Sequence, residues 1–463
     1  MPGPLHNSVS DKLLAAEWRA ILALSGIFSL RMFGLFMLLP LLVLFAPSLA
    51  GNTPFLAGLA LGAYGLTQAL LQIPLGILSD RINRKLVIAM GLCVFALGSL
   101  IAASAESIYG LIIGRAVQGA GAVSSVIMAL TADLTRSSQR TKAMALIGVS
   151  IGASFMLAMV AGPVLQVYIG VRGIFLCIAV LAGLAILVLY RIVPQHGKTT
   201  PNKQRPPWLE LLRRVLGNED LVRLNLGIFV SHAILTALFL AVPAQFISIG
   251  EVSLDHHWKW YLLVLGLSVP AMLPFIIMGS RQGRVTLSYR LAVLLLCGSF
   301  LAEQIVGLSS FGLMLVFLIL FFAAFNALES LLPSLMSQVA SREVRGTASS
   351  VYSTFQFAGV FVGGVAGGLI WDAYGPDAIY SLCAILALGW AVLAWSGSEF
   401  RLVQTIEIDL QESEPSRQSE LIAKIQGLKG VETVTLADGA DRVYLEVDEA
   451  IYQHAELQKL FKT

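Results

Sequence analysis

The sequence predicts an all-α membrane protein of about twelve transmembrane helices in two six-helix bundles, followed by a small α+β domain. Three observations carry this. Of 463 residues, 57% are hydrophobic and only 13% charged. A soluble domain carries roughly 25% charge, whereas each membrane span needs about 20 apolar residues. Basic residues concentrate in every other loop. After residue 397 the composition turns abruptly polar.

Taken in order, residues 1–19 are polar and mixed in charge, with Leu13, Leu14, Trp18 and Arg19 forming an amphipathic lead-in at the interface rather than a cleavable signal peptide. Apolar runs are then predicted at 20–45, 54–79, 86–105, 108–132, 142–168, 172–193, 223–249, 259–280, 288–308, 311–337, 346–370 and 375–396. Helices are the natural choice, because a spanning segment must satisfy its own backbone hydrogen bonds. Glycine and proline inside the runs do not oppose this, since both are frequent in membrane helices.

One set of loops carries Arg81, Arg84 and Lys85, then Arg136, Arg140 and Lys142, then Arg281, Arg284 and Arg290, then Arg342 and Arg345. The alternate loops are mainly acidic, with Glu106, Glu251, Asp255, Asp372 and Asp377. The basic set is therefore cytoplasmic, and with an even span count so are both termini. The connection 194–222 separates an N-terminal bundle, 1–193, from a C-terminal bundle, 223–397. It holds Pro194, Pro201, Pro206 and Pro207, and its stretch from Trp208 to Leu216 reads either as a short amphipathic helix or as plain linker. The halves echo each other. Arg140-Thr141-Lys142-Ala143 matches Arg345-Gly346-Thr347-Ala348, and at the same offset Gly162 matches Gly367.

Residues 402–463 are soluble in character. Strands are predicted at 405–410, 431–436 and 443–447, and helices at 419–428 and 450–461. The order βαββα is that of a ferredoxin-like module. At about 60 residues it is a marginal domain, expected to dock on the bundles or pair with another copy. Cys93, Cys177, Cys297 and Cys383 all lie in apolar runs without CxxC spacing, so neither a metal site nor a disulfide framework is expected. A net charge of +3 gives no reason to expect nucleic acid. No Walker A segment is present, so ATP-driven transport is not supported. No nucleophile–base or metal-ligand cluster suggests an enzyme, and no cofactor is implied.

The segment Gly76-Ile77-Leu78-Ser79-Asp80-Arg81-Ile82-Asn83-Arg84-Lys85 resembles the loop signature of the major facilitator superfamily, G-x-L-[SA]-D-R-x-G-R-[KR], between spans two and three. Asn83 stands where that family usually has glycine. Gly114-Arg115-Ala116-Val117-Gln118-Gly119 resembles the family's G-R-x-x-Q-G motif in span four, and Gly162-Pro163 in span five is a partial match to the glycine-proline motif of its antiporter branches. With the tail, the resemblance narrows to the YajR-type bacterial transporters. It implies the major facilitator fold in a bacterial inner membrane. It also implies an inner gate in which Asp80 faces the N-terminus of span eleven at Gly346-Thr347, where backbone N–H groups favour a carboxylate, and Arg84 pairs with Asp133.

Ionisable residues inside spans are costly and mark function. Arg31 lies in mid-span one, Arg115 in span four, His232 in span seven, Glu303 in span nine and Glu329 in span ten. Glu329 is the first candidate for a proton-carrying carboxyl. Arg31 is a candidate to bind an anionic group or tune Glu329. Arg115 is read either as supporting proton coupling or as bonding carbonyls of a neighbouring helix. Tyr64 and Gln68 share a face of span two, as do Tyr352 and Gln356 of span eleven. With His232, Asn326 and the phenylalanines Phe321, Phe322 and Phe325, they are candidates to line a substrate cavity. The expected function is a proton-coupled solute or drug antiporter working by alternating access. The alternatives are a specific metabolite or ion carrier regulated by its tail, and a membrane sensor with little transport.

Overall fold

A computed structural model describes residues 13–136, 139–194, 206–281, 283–341, 343–409, 424–428, 430–436 and 442–448. Most of the predicted helix 419–428 and all of 450–461 lie outside these residues. Among the described residues, eleven helical segments are long and apolar enough to cross a membrane.

The first segment is two helices, α1 (Ala15–Met37) and α2 (Leu39–Phe45), not one. The break falls at Leu38, just ahead of Pro40, which lacks an N–H and collides with the carbonyl four residues back in a continuing helix. Then come α3 (Pro54–Arg81) and α4 (Arg84–Ala103). Asn83 is the N-cap of α4, its Oδ1 accepting from Lys85 N at 2.9 Å. The residue that departs from the family's glycine thus starts the next helix.

The predicted span 108–132 is also divided, into α5 (Ile108–Ala120) and α6 (Ser124–Asp133). Around the break, a β-carbon at Gly119 would collide with the Tyr64 carbonyl of α3, and one at Gly121 with the Gly91 carbonyl of α4. The long helix α7 (Arg140–Arg191) carries non-helical backbone at Gly170, φ 64°, inside the gap predicted between 168 and 172.

The stretch after the linker does form a helix, α8 (Trp208–Gly217), with Leu211 and Val215 buried. It is followed by α9 (Glu219–Ser248), α10 (His257–Gly279), α11 (Val285–Val306), α12 (Phe311–Val339), α13 (Arg345–Tyr374) and α14 (Ala378–Ser396). Large apolar side chains such as Leu70, Val180 and Ile305 are exposed, as expected of helix faces turned to lipid.

Glycine stripes set the helix contacts. On α13, Gly364 and Gly368 face Gly58 and Phe55 of α3, while Gly359 and Gly363 face Phe229 and Ala233 of α9. Small residues four apart let two backbones approach closely. The echo seen in the sequence has a spatial counterpart. Gly162 of α7 packs on Met37 of α1, and Gly367 of α13 packs on Ala237 and Leu240 of α9.

Beyond α14 lie three strands, β1 (Val403–Asp409), β2 (Val431–Leu436) and β3 (Arg442–Asp448). They form an antiparallel sheet in the order β1-β3-β2. Val443, Leu445 and Val447 of β3 are buried, the period of two expected of a strand with one covered face.

Candidate transport site

Among the described residues, the candidates from the sequence fall in two polar clusters within the spans. The first centres on Arg31 of α1, which is 2% exposed. Its guanidinium donates to Ser124 Oγ of α6 at 2.7 Å, to Tyr64 Oη of α3 at 2.7 Å, and to Gln68 Oε1 of α3. Gln68 in turn donates to Ser124 at 3.3 Å. Arg31 therefore knits α1, α3 and α6 together. The contact with Glu329 expected as one of its roles is not seen, because its donors turn toward α3 and α6.

Arg115 lies on the other side of Tyr64, its guanidinium carbon 5.0 Å from the ring centroid. It donates to the Ala60 carbonyl at 3.4 Å and to Gln118 Oε1 at 2.5 Å, and Gln118 reaches Ser99 of α4 at 2.9 Å. Of its two sequence readings, this geometry is that of an arginine bonding a neighbouring helix's carbonyl.

The second cluster joins α9, α12 and α13. His232 Nδ1 is 3.6 Å from Glu329 Oε1, and His232 Nε2 is 2.9 Å from Gln356 Nε2. These side chains sit about 15–20 Å along their helices from the ends on the basic-loop face. The Glu329 side chain is 30% exposed and that of His232 is 6% exposed. Among the described residues of this cluster, Glu329 Oε1, His232 Nδ1 and Tyr352 Oη are buried without a hydrogen-bond partner. Buried polar groups are normally satisfied, and on α1 and α3 Arg31 Nε and both amide atoms of Gln72 are likewise without a partner. Asn326 donates to Ser268 Oγ of α10 at 3.2 Å.

Aromatic rings separate the clusters. Phe155 of α7 stands 5.0 Å from Phe36 of α1 and 6.0 Å from Phe325 of α12, and Phe325 is 5.9 Å from His232, all by ring centroids. Phe321, Phe322 and Phe325 are almost fully buried. They pack helices together rather than present open cavity wall.

At the basic-loop face, Arg84 Nε is 2.9 Å from Asp133 Oδ2 and Arg84 Nη2 is 3.2 Å from Asp80 Oδ1. Gly76 lies near Ser125 of α6, while Arg81 and Gly346 are exposed. The expected seat of Asp80 on the N-terminus of α13 is not formed, and the Asp80 side chain is 51% exposed. The reason lies in the packing of α3 on α13. Their glycine contacts run from Gly58 to Gly65 and from Phe357 to Gly368, toward the opposite face.

Sequence reasoning missed Glu17. Its carboxylate accepts from Arg136 N, Nε and Nη2, each at 2.9 Å, and from Leu14 N at 2.8 Å. This hydrogen bonding holds the Arg136 guanidinium above its usual pKa range. The available signal was an acid of the lead-in beside its first apolar run, opposite a basic loop.

A model of the Major Facilitator Superfamily matches residues 24–302. The chain is a member of that superfamily. The transporter is 37% identical to the inner membrane transport protein YajR of Escherichia coli (strain K12), over 97% of this chain and 99% of YajR. It is 33% identical to multidrug resistance protein D of the same organism, over 29% of this chain and 35% of that one. Among solved structures, a bacterial homologue of the human lysosomal transporter Spinster, inward-facing and occupied, superposes with TM-score 0.69 at 13% identity, covering 84% of this chain and 98% of that chain. The nucleoside transporter NupG superposes with TM-score 0.63 at 14% identity, covering 82% and 99%. The transporter is thus a multi-pass protein of the bacterial inner membrane, and not an enzyme.

Proposed function

We propose that the transporter is a proton-coupled secondary carrier, a solute:proton antiporter that exports a small molecule by alternating access. The observation that carries this is the His232–Glu329 pair, an acid beside a titratable base at mid-membrane depth with unpartnered polar atoms around it. An intramembrane carboxyl with an ionisable neighbour is the usual element of a proton relay. A multidrug resistance protein and a class C tetracycline resistance protein of Escherichia coli among its relatives favour efflux.

Twelve spans follow if Lys142–Arg191 crosses twice. Its 50 residues make about 75 Å of helix against a hydrocarbon core of about 30 Å. Two six-helix bundles would then flank the clusters, in the parallel-repeat plan. In this reading Asp80, Arg81, Arg84, Asp133 and Gly346 form the inner gate, parted here and closed when Asp80 reaches α13. The sheet order β1-β3-β2 agrees with a ferredoxin-like tail over 402–463, facing the cytoplasm and docking on the bundles or on a second copy.

The test is substrate-induced proton movement in proteoliposomes across a panel of amphiphilic drugs and metabolites, wild type beside Glu329→Gln. Proton flux with particular compounds, lost in the variant, supports antiport through Glu329. Undiminished flux in the variant moves the proton site elsewhere. Absence of flux with folded wild-type protein favours a sensor.

A further inference from the structure

Away from both clusters, a side-opening groove of about 730 Å³ runs between α1 and both legs of α7. Its walls include Leu22, Gly26 and Phe33 of α1, Leu157 of α7, and Ile192 at the C-cap of α7. They are almost wholly apolar. Leu22 and Leu157 are 58% and 64% exposed, and a β-carbon at Gly26 would meet nothing within 4 Å, so the described residues leave the groove unfilled.

One end of the groove is different in kind. Arg19 lines it at the basic-loop face, and Arg191, next to the lining residue Ile192, is exposed there too. Trp18 and Tyr190, their chain neighbours, are 43% and 54% exposed. Paired interfacial aromatics and arginines mark the headgroup level of a bilayer. The nearby acid Glu17 is already engaged by Arg136. From Arg19 to Phe33 the groove extends about 21 Å along α1, enough to pass from the headgroups to the middle of a hydrocarbon core about 30 Å thick.

We infer that this groove holds one anionic phospholipid of the leaflet on the basic-loop side, with an acyl chain between α1 and α7 and its phosphate against Arg19. The apolar walls match the chain, and the cationic mouth matches the headgroup.

The test is native mass spectrometry of the full-length transporter in detergent, supplied with phosphatidylglycerol or phosphatidylethanolamine. In Gly26→Trp and Leu157→Trp, whose side chains fill the groove, retained phosphatidylglycerol should fall roughly tenfold. Arg19→Gln should lower the preference for phosphatidylglycerol over phosphatidylethanolamine about fivefold. Gel filtration establishes that each variant is folded, and two separate tryptophan substitutions protect against the failure of one. Undiminished retention in a folded tryptophan variant overturns the site. An unchanged lipid preference in Arg19→Gln overturns the headgroup assignment.

Discussion

Nδ1 of His232 stands 3.6 Å from Oε1 of Glu329, while Nε2 of the same ring is 2.9 Å from the Gln356 amide nitrogen. One imidazole thus bridges α9, α12 and α13. With Gln356 donating, the neutral ring accepts at Nε2 and carries its proton on Nδ1, facing Glu329.

Replacing His232 with Gln keeps a hydrogen-bonding group beside Gln356 but removes the titratable ring. Coupled proton flux in proteoliposomes is expected to fall roughly a hundredfold, the lower end of what a positioned acid or base contributes. Substrate binding to the detergent-solubilised protein should change much less. Equal losses in binding and flux would show that His232 holds the solute rather than the proton.

The Arg84–Asp133 pair lies at 2.9 Å with side chains only 14% and 17% exposed. Arg84→Asp and Asp133→Arg should each reduce transport and lower the melting temperature. The double variant, with the charges exchanged, should recover much of both. A coupling energy of about 0.5–3 kcal/mol in the double-mutant cycle is expected for residues in contact, and a value near zero would show that the pair does not stabilise this arrangement.

Asp80 and Gly346 are both exposed here. If they meet when the inner gate shuts, Asp80→Cys with Gly346→Cys should crosslink during turnover. This requires a background in which Cys93, Cys177, Cys297 and Cys383 are replaced. Oxidation should then block transport, and reductant should restore it. Full transport by a crosslinked population would exclude these positions from the moving gate.

The contact of α3 with α13 permits a sharp contrast among glycines. A β-carbon at Gly58 would collide with the Gly364 carbonyl, whereas at Gly148 and Gly152 of α7 it would meet nothing within 4 Å. Gly58→Ala is therefore expected to cost about 1–3 kcal/mol through overpacking. Gly148→Ala and Gly152→Ala should be close to neutral or slightly stabilising, because alanine is the better helix former. Thermal denaturation in detergent measures all three.

That contrast also marks what the sequence could convey. Spans were legible because apolar runs and basic loops are one-dimensional signals, and the break at Gly170 fell where the hydropathy dipped. The breaks at Leu38 and near Gly121 were not, since the runs stay apolar through them and the second is associated with close backbone contacts from α3 and α4. Gly148/Gly152 and Gly58/Gly62 have the same spacing in the chain, but only the second pair meets a partner helix. Glu329 and Arg31 stood out as charges within apolar runs. Their partners did not, because Arg31 is joined to Ser124, and Glu17 to Arg136, by side chains some 90 or more residues away. Asp80 is a further case. A motif names candidate gate residues, not the contacts that a given structure holds.

Residues 397–401, between α14 and the sheet, are fastened to the inner ends of α9, α11 and α14. Phe400 is 6% exposed. Its ring centroid lies 5.4 Å from that of Tyr289 and 4.7 Å from the Arg223 guanidinium carbon. Arg290 donates to the Gly397 carbonyl at 2.6 Å, Arg223 to the Ser398 carbonyl at 3.1 Å, and Arg401 N to Asp220 at 3.2 Å. Such a segment has little freedom to swing, so the tail should follow the second half of the chain. Phe400→Ala removes a ring whose burial typically stabilises by about 3–5 kcal/mol, enough to release the segment. Limited proteolysis of the full chain should then cut within 397–402 in the variant while sparing the wild type. Transport should persist in the cut protein if the bundles alone carry the solute. Equal cleavage of both proteins would mean that Phe400 does not anchor the tail.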